Sequence, residues 1–235
     1  MTVWIEKPNQ EFADDWLFAA YHGFKYLGSI IQTYSKPEKI HYKKGDIVVG
    51  GIGNIRYIAN KLNITLPNFY IPKELTSYAG RNITKSTVGE VITRIHQKEK
   101  LFIKPILTKG FPAQVVNELP LITYPEQEIK DFTECWVSKI VNFVSEYRLF
   151  LHKRELIGCK HYWGDFRISL DWKIVDKALS ELLEQPAGWT LDFGVTDKGE
   201  TLLIEANDGY SIGNYGLDGV DYAKLLRDRF LEITK

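Results

Sequence analysis

Between residues 190 and 208 apolar side chains recur at every second position on both sides of Asp197-Lys198-Gly199-Glu200, the pattern of two strands joined by a turn. Pairing the arms around that loop sets Val195 opposite Leu202, Phe193 opposite Ile204 and Leu191 opposite Ala206, a continuous apolar face. Apolar runs and alternation predict further strands over 2–6, 30–34, 46–49, 101–104, 111–116, 119–123, 136–141, 144–151 and 155–162. Helices are predicted over 14–24, 53–62, 87–96, 171–183 and 222–233. Early in the chain strands and helices alternate, which predicts a small α/β unit with a parallel sheet. Pro67, Pro72 and the polar stretch 80–87 mark a boundary, and strand then follows strand. The expected architecture is an α/β N-terminal domain over 1–85, followed over 86–235 by an α+β domain with antiparallel sheets.

The polar face of the 190–208 hairpin carries candidate chemistry. Asp192 falls opposite Glu205, with Cβ atoms roughly 5 Å apart, and Asn207 points to the same side. Two carboxylates this close repel unless something cationic lies between them. Oxygen donors, two charged and one neutral, suit a hard cation such as Mg²⁺, which commonly completes its shell with water and phosphate oxygens. The alternative is the solvated face of an ordinary amphipathic hairpin. If repulsion dominates, removing one carboxylate should leave metal-free stability steady or slightly higher.

Composition narrows the classes. With 235 residues, 44% apolar and 26% charged, the chain can bury a sizeable core. Net charge is zero, so neither nucleic acid nor an anionic membrane is expected as a partner. No apolar run reaches the ~18 residues of a membrane span, and the segment from Met1 to Pro8 is not read as a signal peptide. Cys135 and Cys159 are too few for a disulfide framework or a thiolate zinc site, so a cytoplasmic location is expected.

Three other segments carry candidate groups. Gly50-Gly51-Ile52-Gly53-Asn54-Ile55-Arg56 lies where a strand gives way to a helix, but Arg56 stands where a dinucleotide fingerprint needs its third glycine. It reads as a tight turn, with helix-start amides that can also hold a carboxylate or phosphate. Lys104 ends a strand beside a short loop containing Lys109 and Gly110, where lysines could neutralise phosphates or simply be solvated. Glu146 and Arg148 share a strand face; they form either a structural ion pair or a phosphate-holding arginine beside a carboxylate.

The order of these segments resembles the ATP-grasp superfamily: Phe102-Ile103-Lys104-Pro105, Cys135-Trp136-Val137-Ser138-Lys139, Ser145-Glu146-Tyr147-Arg148-Leu149-Phe150-Leu151, Tyr162-Trp163-Gly164-Asp165, Leu191-Asp192-Phe193-Gly194-Val195 and Ile204-Glu205-Ala206-Asn207-Asp208. It is most similar to the compact clade named for two arginines and one lysine. The similarity runs from about Leu101 to the C-terminus. It implies ATP and Mg²⁺ as cofactors, with nucleotide held between two lobes of the second domain. Lys104 and Lys109 would contact phosphates, and Trp136, Val137, Ser138 and Lys139 would lie on the strand whose backbone meets adenine. Arg148 would face the γ-phosphate or an acyl phosphate, while Asp192, Glu205 and Asn207 would hold Mg²⁺. The second arginine is open among Arg167, Arg227 and Arg229; Arg167 is preferred, because the other two lie on a terminal helix whose ordinary state is a solvated face. The loop after Lys104 departs from richer phosphate loops in having only Gly110.

The resemblance implies ligation: a carboxylate is phosphorylated by ATP and an amine displaces the phosphate. The partner would be a small molecule or peptide carrying these groups, with an amino acid or peptide favoured. Simple phosphoryl transfer to a small molecule, or nucleotide binding without turnover, are the other readings of the same site. Neither a general base nor an oligomeric state is assigned.

Overall fold

The computed structural model describes the whole chain except residues 9–10, 68–69, 108–109 and 126–127. Contacts divide it into two compact units, Met1–Leu75 with Phe143–Lys235, and Thr76–Asn142. A cut at residue 85 falls inside a strand of the second unit.

The first unit begins as predicted, with β1 (Thr2–Glu6), α1 (Asp15–Tyr26), β2 (Ile30–Tyr34), β3 (Ile47–Val49) and α2 (Ile52–Lys61). The strands form a parallel sheet in the order β2-β1-β3. Asp46, at the start of β3, accepts hydrogen bonds from Thr2 N at 2.9 Å and Lys43 N at 3.1 Å, which pins the first strand. Gly51 caps α2, and its N–H donates to the Glu6 carboxylate at 2.7 Å. A side chain at Gly50 would meet the Tyr34 hydroxyl at 2.0 Å, so close packing calls for glycine at that position, and the Gly51 amide of the same turn holds a carboxylate of the chain itself.

The second unit contains β4 (Ile83–Thr87), α3 (Val88–His96), β5 (Leu101–Pro105), β6 (Gln114–Val116) and β7 (Glu134–Ser138), in an antiparallel sheet ordered β4-β7-β5-β6. Thr87 and Glu90 form a reciprocal capping box at the start of α3. Val88, Val91 and Ile95 of that helix pack on Leu101, Ile103, Cys135 and Val137. Two expectations need correction. Residues 80–87, read as a polar boundary, contain β4; 119–123, read as a strand, do not form one. Pro120 lacks the N–H a ladder needs. The Gln114 amide instead pairs with Ile122, accepting from its N at 2.9 Å and donating to its O at 2.9 Å.

The chain then completes the first unit with β8 (Phe143–His152), β9 (Glu155–Gly164), α4 (Trp172–Glu181), β10 (Gly188–Thr196), β11 (Thr201–Asp208) and α5 (Gly219–Ile233). The four strands form an antiparallel sheet, β11-β10-β8-β9. α5 buries Tyr222, Leu225, Leu226 and Phe230 in the core built from β1, β3, α1 and α2. It approaches α1 so closely that a Cβ on Gly23 would lie 1.8 Å from the Gly219 carbonyl oxygen. That crossing ties the first and last helices into one body.

Candidate active site

Every residue of β10 is buried, and β10 lies between β11 and β8. Asp192 therefore has two cross-strand partners, Glu205 on β11 and Arg148 on β8, and Arg148 in turn pairs with Lys160 on β9. Directly opposed residues share a sheet face, so Glu205, Asp192, Arg148 and Lys160 form a row of two carboxylates and two cations across four strands.

The predicted Asp192–Glu205 and Leu191–Ala206 pairs are present, but the rest of the hairpin register is shifted. Phe193 opposes Leu203, and Val195 opposes Thr201, because Ile204 is an extra residue inserted opposite the Asp192/Phe193 step. Leu203, not Ile204, joins the buried face, being 0% exposed. The bulge lies next to the paired carboxylates.

Arg148 grips Asp192 bidentately, Nε to Oδ1 at 2.8 Å and a terminal nitrogen to Oδ2 at 2.6 Å. Both side chains are buried. Burial works against the guanidinium charge, but the hydrogen bonds and charge of Asp192, helped by Tyr215 and Glu205, outweigh it and raise the Arg148 pKa. Part of the positive charge that two close carboxylates require is thus supplied by the protein, from the far side of Asp192. Asn207 Nδ2 adds a donor to Glu205 Oε1 at 2.9 Å and lies 3.5 Å from Asp192 Oδ2. Of the two readings of Glu146 and Arg148, the mutual ion pair is not formed: Glu146 accepts the Tyr162 hydroxyl at 2.7 Å, while Arg148 turns to Asp192.

Two aromatic rings complete the site. Tyr162, the extra residue of a bulge in β9, stacks on Tyr215 with centroids 4.9 Å apart and planes inclined by 16°. The Arg148 guanidinium carbon lies 4.6 Å from the Tyr215 ring centre and 5.8 Å from that of Tyr162. Burial, with the nearby charges of Asp192, Glu146 and Glu205, pushes the Tyr162 pKa up, keeping its hydroxyl a donor. Neither tyrosine stands out in the sequence. Tyr162 lies in the Tyr162-Trp163-Gly164-Asp165 segment, but the bulge that turns it toward Arg148 has no signal in period-two patterning.

In the second unit, Lys85, Trp136 and Lys104 oppose one another across β4, β7 and β5 and share a face. Lys85 Nζ lies 5.4 Å from the centre of the Trp136 ring. Trp136, Val137 and Ser138 are paired on both sides, so chain free of the ladder begins at Lys139. Lys109 lies outside the described residues.

The three arginines left open differ sharply. Arg167 is exposed and bonded to Asp165, whose carboxyl its hydrogen bonds bring down to about 2. Arg227 bonds its neighbour Asp228 at 2.7 Å. Arg229 is not on a solvated face: it is 6% exposed, and its Nε donates to Asp208 at 2.7 Å. Both cysteine thiols are pushed up to about 11, by burial above all, so neither offers a thiolate near neutrality.

Among the described residues no three His, Cys, Asp or Glu side chains gather around a possible metal, so the candidate donor set is two carboxylates plus an amide. No helix among them is long and apolar enough to cross a membrane.

Similar folds occur in solved structures. D-cycloserine synthetase DcsG has a TM-score of 0.55 at 10% identity, over 98% of this chain and 100% of that one. The ATP-grasp ligase PsnB, solved with a minimal precursor, has a TM-score of 0.52 at 12% identity over 99% of each chain. N5-carboxyaminoimidazole synthetase from Staphylococcus aureus, solved with ADP, has 0.50 at 12%, over 97% of this chain and 77% of that one. The fold they share with this chain is the ATP-grasp fold. The chain belongs to the ATP-grasp domain family, in family 2 of the clade named for two arginines and one lysine, whose profile matches residues 78–225, more than half its length. No curated protein matches the sequence significantly.

Proposed function

We propose that this protein is an ATP-dependent ligase that joins a carboxylate to an amine through an acyl phosphate, with an amino acid or peptide as substrate. The observation that carries the reading is the Glu205–Asp192–Arg148 row with Asn207 beside it, in a chain of the ATP-grasp family. The donors fit Mg²⁺: two carboxylates and an amide oxygen on one face are hard ligands that leave room for water and phosphate. Asn207 would present its oxygen by turning over the amide that now faces Glu205.

Asp192, Glu205 and Asn207 would hold the ion, which supplies charge neutralisation at the terminal phosphates of ATP. Arg148 would meet the transferring phosphoryl oxygens and Lys104 the phosphates already bound in the ground state. Lys109 and Arg167 would add charge, Arg167 as the clade's second arginine. Adenine would meet backbone from Lys139 onward, at the end of the strand that carries Trp136, Val137 and Ser138, whose own backbones are already paired on both sides. The ADP bound in the similar carboxyaminoimidazole synthetase and the ligase names of the neighbours support this reading. The family match over residues 78–225 supports an ATP-grasp domain that starts ahead of the 85/86 boundary expected from the sequence, after an N-terminal domain. A cytoplasmic location accords with two free cysteines.

The test is a product screen with ATP, Mg²⁺ and pools of amino acids and peptides, followed by ¹⁸O labelling of the reactive carboxylate. Ligation through an acyl phosphate passes one label to inorganic phosphate and releases ADP. Label in AMP would end the reading, and a stable phosphorylated product would replace it with a kinase.

A further inference from the structure

Arg148 has two separate holds. One is the bidentate contact with Asp192, made at 2.8 and 2.6 Å. The other is the stacked pair Tyr215 and Tyr162, whose ring centres lie 4.6 and 5.8 Å from the guanidinium carbon. The first uses both oxygens of a carboxylate that belongs to the candidate metal set. Asp192 is 1% exposed, so water does not replace a partner it loses. A cation in that set would draw on the same two oxygens, so metal and guanidinium would compete for Asp192. The second hold involves no candidate metal donor, so such an exchange would leave it in place. Tyr215 comes from the loop between β11 and α5, with a positive φ of 42°, and presents its ring face to the arginine. Cation–π attraction there keeps a desolvated guanidinium in the site after its carboxylate is gone.

We infer that Arg148 is the resident counter-ion of Asp192 in the metal-free protein, and that Tyr215 and Tyr162 are positioning residues that retain it, freed for phosphate, once Asp192 turns to the metal. The inference rests on the ligase reading of the same site and adds to it a coupling between metal binding and arginine release. Thermodynamic linkage makes the coupling reciprocal: whatever draws Arg148 away tightens the metal, and the metal frees Arg148.

The test titrates Mn²⁺, as an EPR-visible stand-in for Mg²⁺, onto the full-length protein without nucleotide. Arg148→Gln removes the competitor and should bind Mn²⁺ at least about 10-fold tighter than wild type. Arg148→Lys keeps a charge but loses the bidentate fork, and should fall between the two; it serves alone if the glutamine variant does not fold. Equal or weaker binding in the folded variants overturns the inference. Glu205→Gln, which leaves the Arg148–Asp192 pair in place, should weaken Mn²⁺ in every background. If it does not, the metal assignment and the ligase reading fall; if it does while Arg148 substitutions change nothing, only the exchange falls.

Retention is read by NMR. The Arg148 Nε–H line, identified by its loss in Arg148→Gln, should leave its carboxylate-bonded position when Mg²⁺ is added. It should stay sharp in wild type and in Tyr215→Phe, and broaden in Tyr215→Leu. A line that ignores saturating Mg²⁺, or that stays sharp in Tyr215→Leu, refutes the positioning role.

Discussion

Arg148 and Asp192 stand directly opposite each other on neighbouring strands, 44 residues apart in sequence, and close a buried ion pair with both carboxylate oxygens engaged. The pair changes how the carboxylates on this face should be viewed. Repulsion between Asp192 and Glu205 is answered within the protein, so relieving it is not the main consequence of neutralising Asp192.

Asp192→Asn should therefore destabilise the metal-free protein, against the steady or raised stability expected from repulsion alone. Removing one partner of a buried pair costs about 3–5 kcal/mol, chiefly because the other charge stays buried and unpaired. Arg148→Met should cost a similar amount, while the double variant should cost clearly less than the sum of the two. Urea denaturation of the four proteins measures this. Additive losses would mean that the two side chains do not depend on each other.

The Gly23–Gly219 crossing makes a separate claim about packing. A methyl group at Gly23 would meet backbone, the carbonyl carbon of Gly219 at 2.5 Å as well as its oxygen, and backbone yields less readily than a flexible side chain. Gly23→Ala, harmless to helix propensity, should cost about 1–3 kcal/mol by overpacking. Gly53→Ala, with open space around the added carbon, serves as the matched control inside another helix. A Tm for Gly23→Ala equal to that of the control would refute the close approach.

Acid should loosen the end of α5. Asp228 sits beside Lys153 at 2.6 Å, Arg227 at 2.7 Å and His152 at 2.9 Å. Burial alone would raise its pKa, but the hydrogen bonds from Arg227, Lys153 and His152 outweigh it and hold the carboxyl well below the usual carboxylate range. A depressed folded pKa contributes stability that is present above the unfolded value of ~4 and is lost as pH falls through the folded value. The stability gap between wild type and Asp228→Asn should hold from neutrality to about pH 5 and close below about pH 4. A gap that persists undiminished at about pH 2 would contradict the network.

What was legible in the sequence was local. Asp192 and Glu205 belong to a hairpin with a short turn, so alternation alone places them face to face, and Asn207 follows by counting two residues. Ile204 shows the limit even there, since a bulge adds a residue without disturbing the apolar composition that suggested the register. Arg148 was assigned to the correct strand, yet its pairing with Asp192 depends on the alignment of β8 with β10 across an intervening strand and helix, which no spacing rule sets. β4 is not legible in the sequence because Ile83-Thr84-Lys85-Ser86-Thr87 is an edge strand with little apolar signal. The burial of Arg229 is not legible in the sequence, because a charged residue on a terminal helix is usually solvated; it follows from Asp208, at the end of β11, reaching the same helix.

The row of Lys85, Trp136 and Lys104 supports a last prediction about nucleotide. The three side chains share one face of the second unit's sheet, and the opposite face, with Ile103, Cys135 and Val137, is buried against α3. Lys104→Ala should lower ATP turnover by roughly 10²-fold or more, the scale seen when one preorganised electrostatic group is removed. Because lysine would touch phosphates in the ground state, the loss should appear in nucleotide affinity as well as in kcat. Arg148→Lys, measured in parallel, should affect kcat much more than affinity, since the guanidinium would meet charge that develops during transfer. Lys85 is more exposed than Lys104 and is engaged over the Trp136 ring, so Lys85→Ala should weaken nucleotide binding less than Lys104→Ala. Titration with a fluorescent ATP analogue and steady-state kinetics separate the effects. If Lys104→Ala keeps wild-type affinity while Lys85→Ala loses it, the phosphate contact belongs to β4, and the role assigned to Lys104 must move to Lys85.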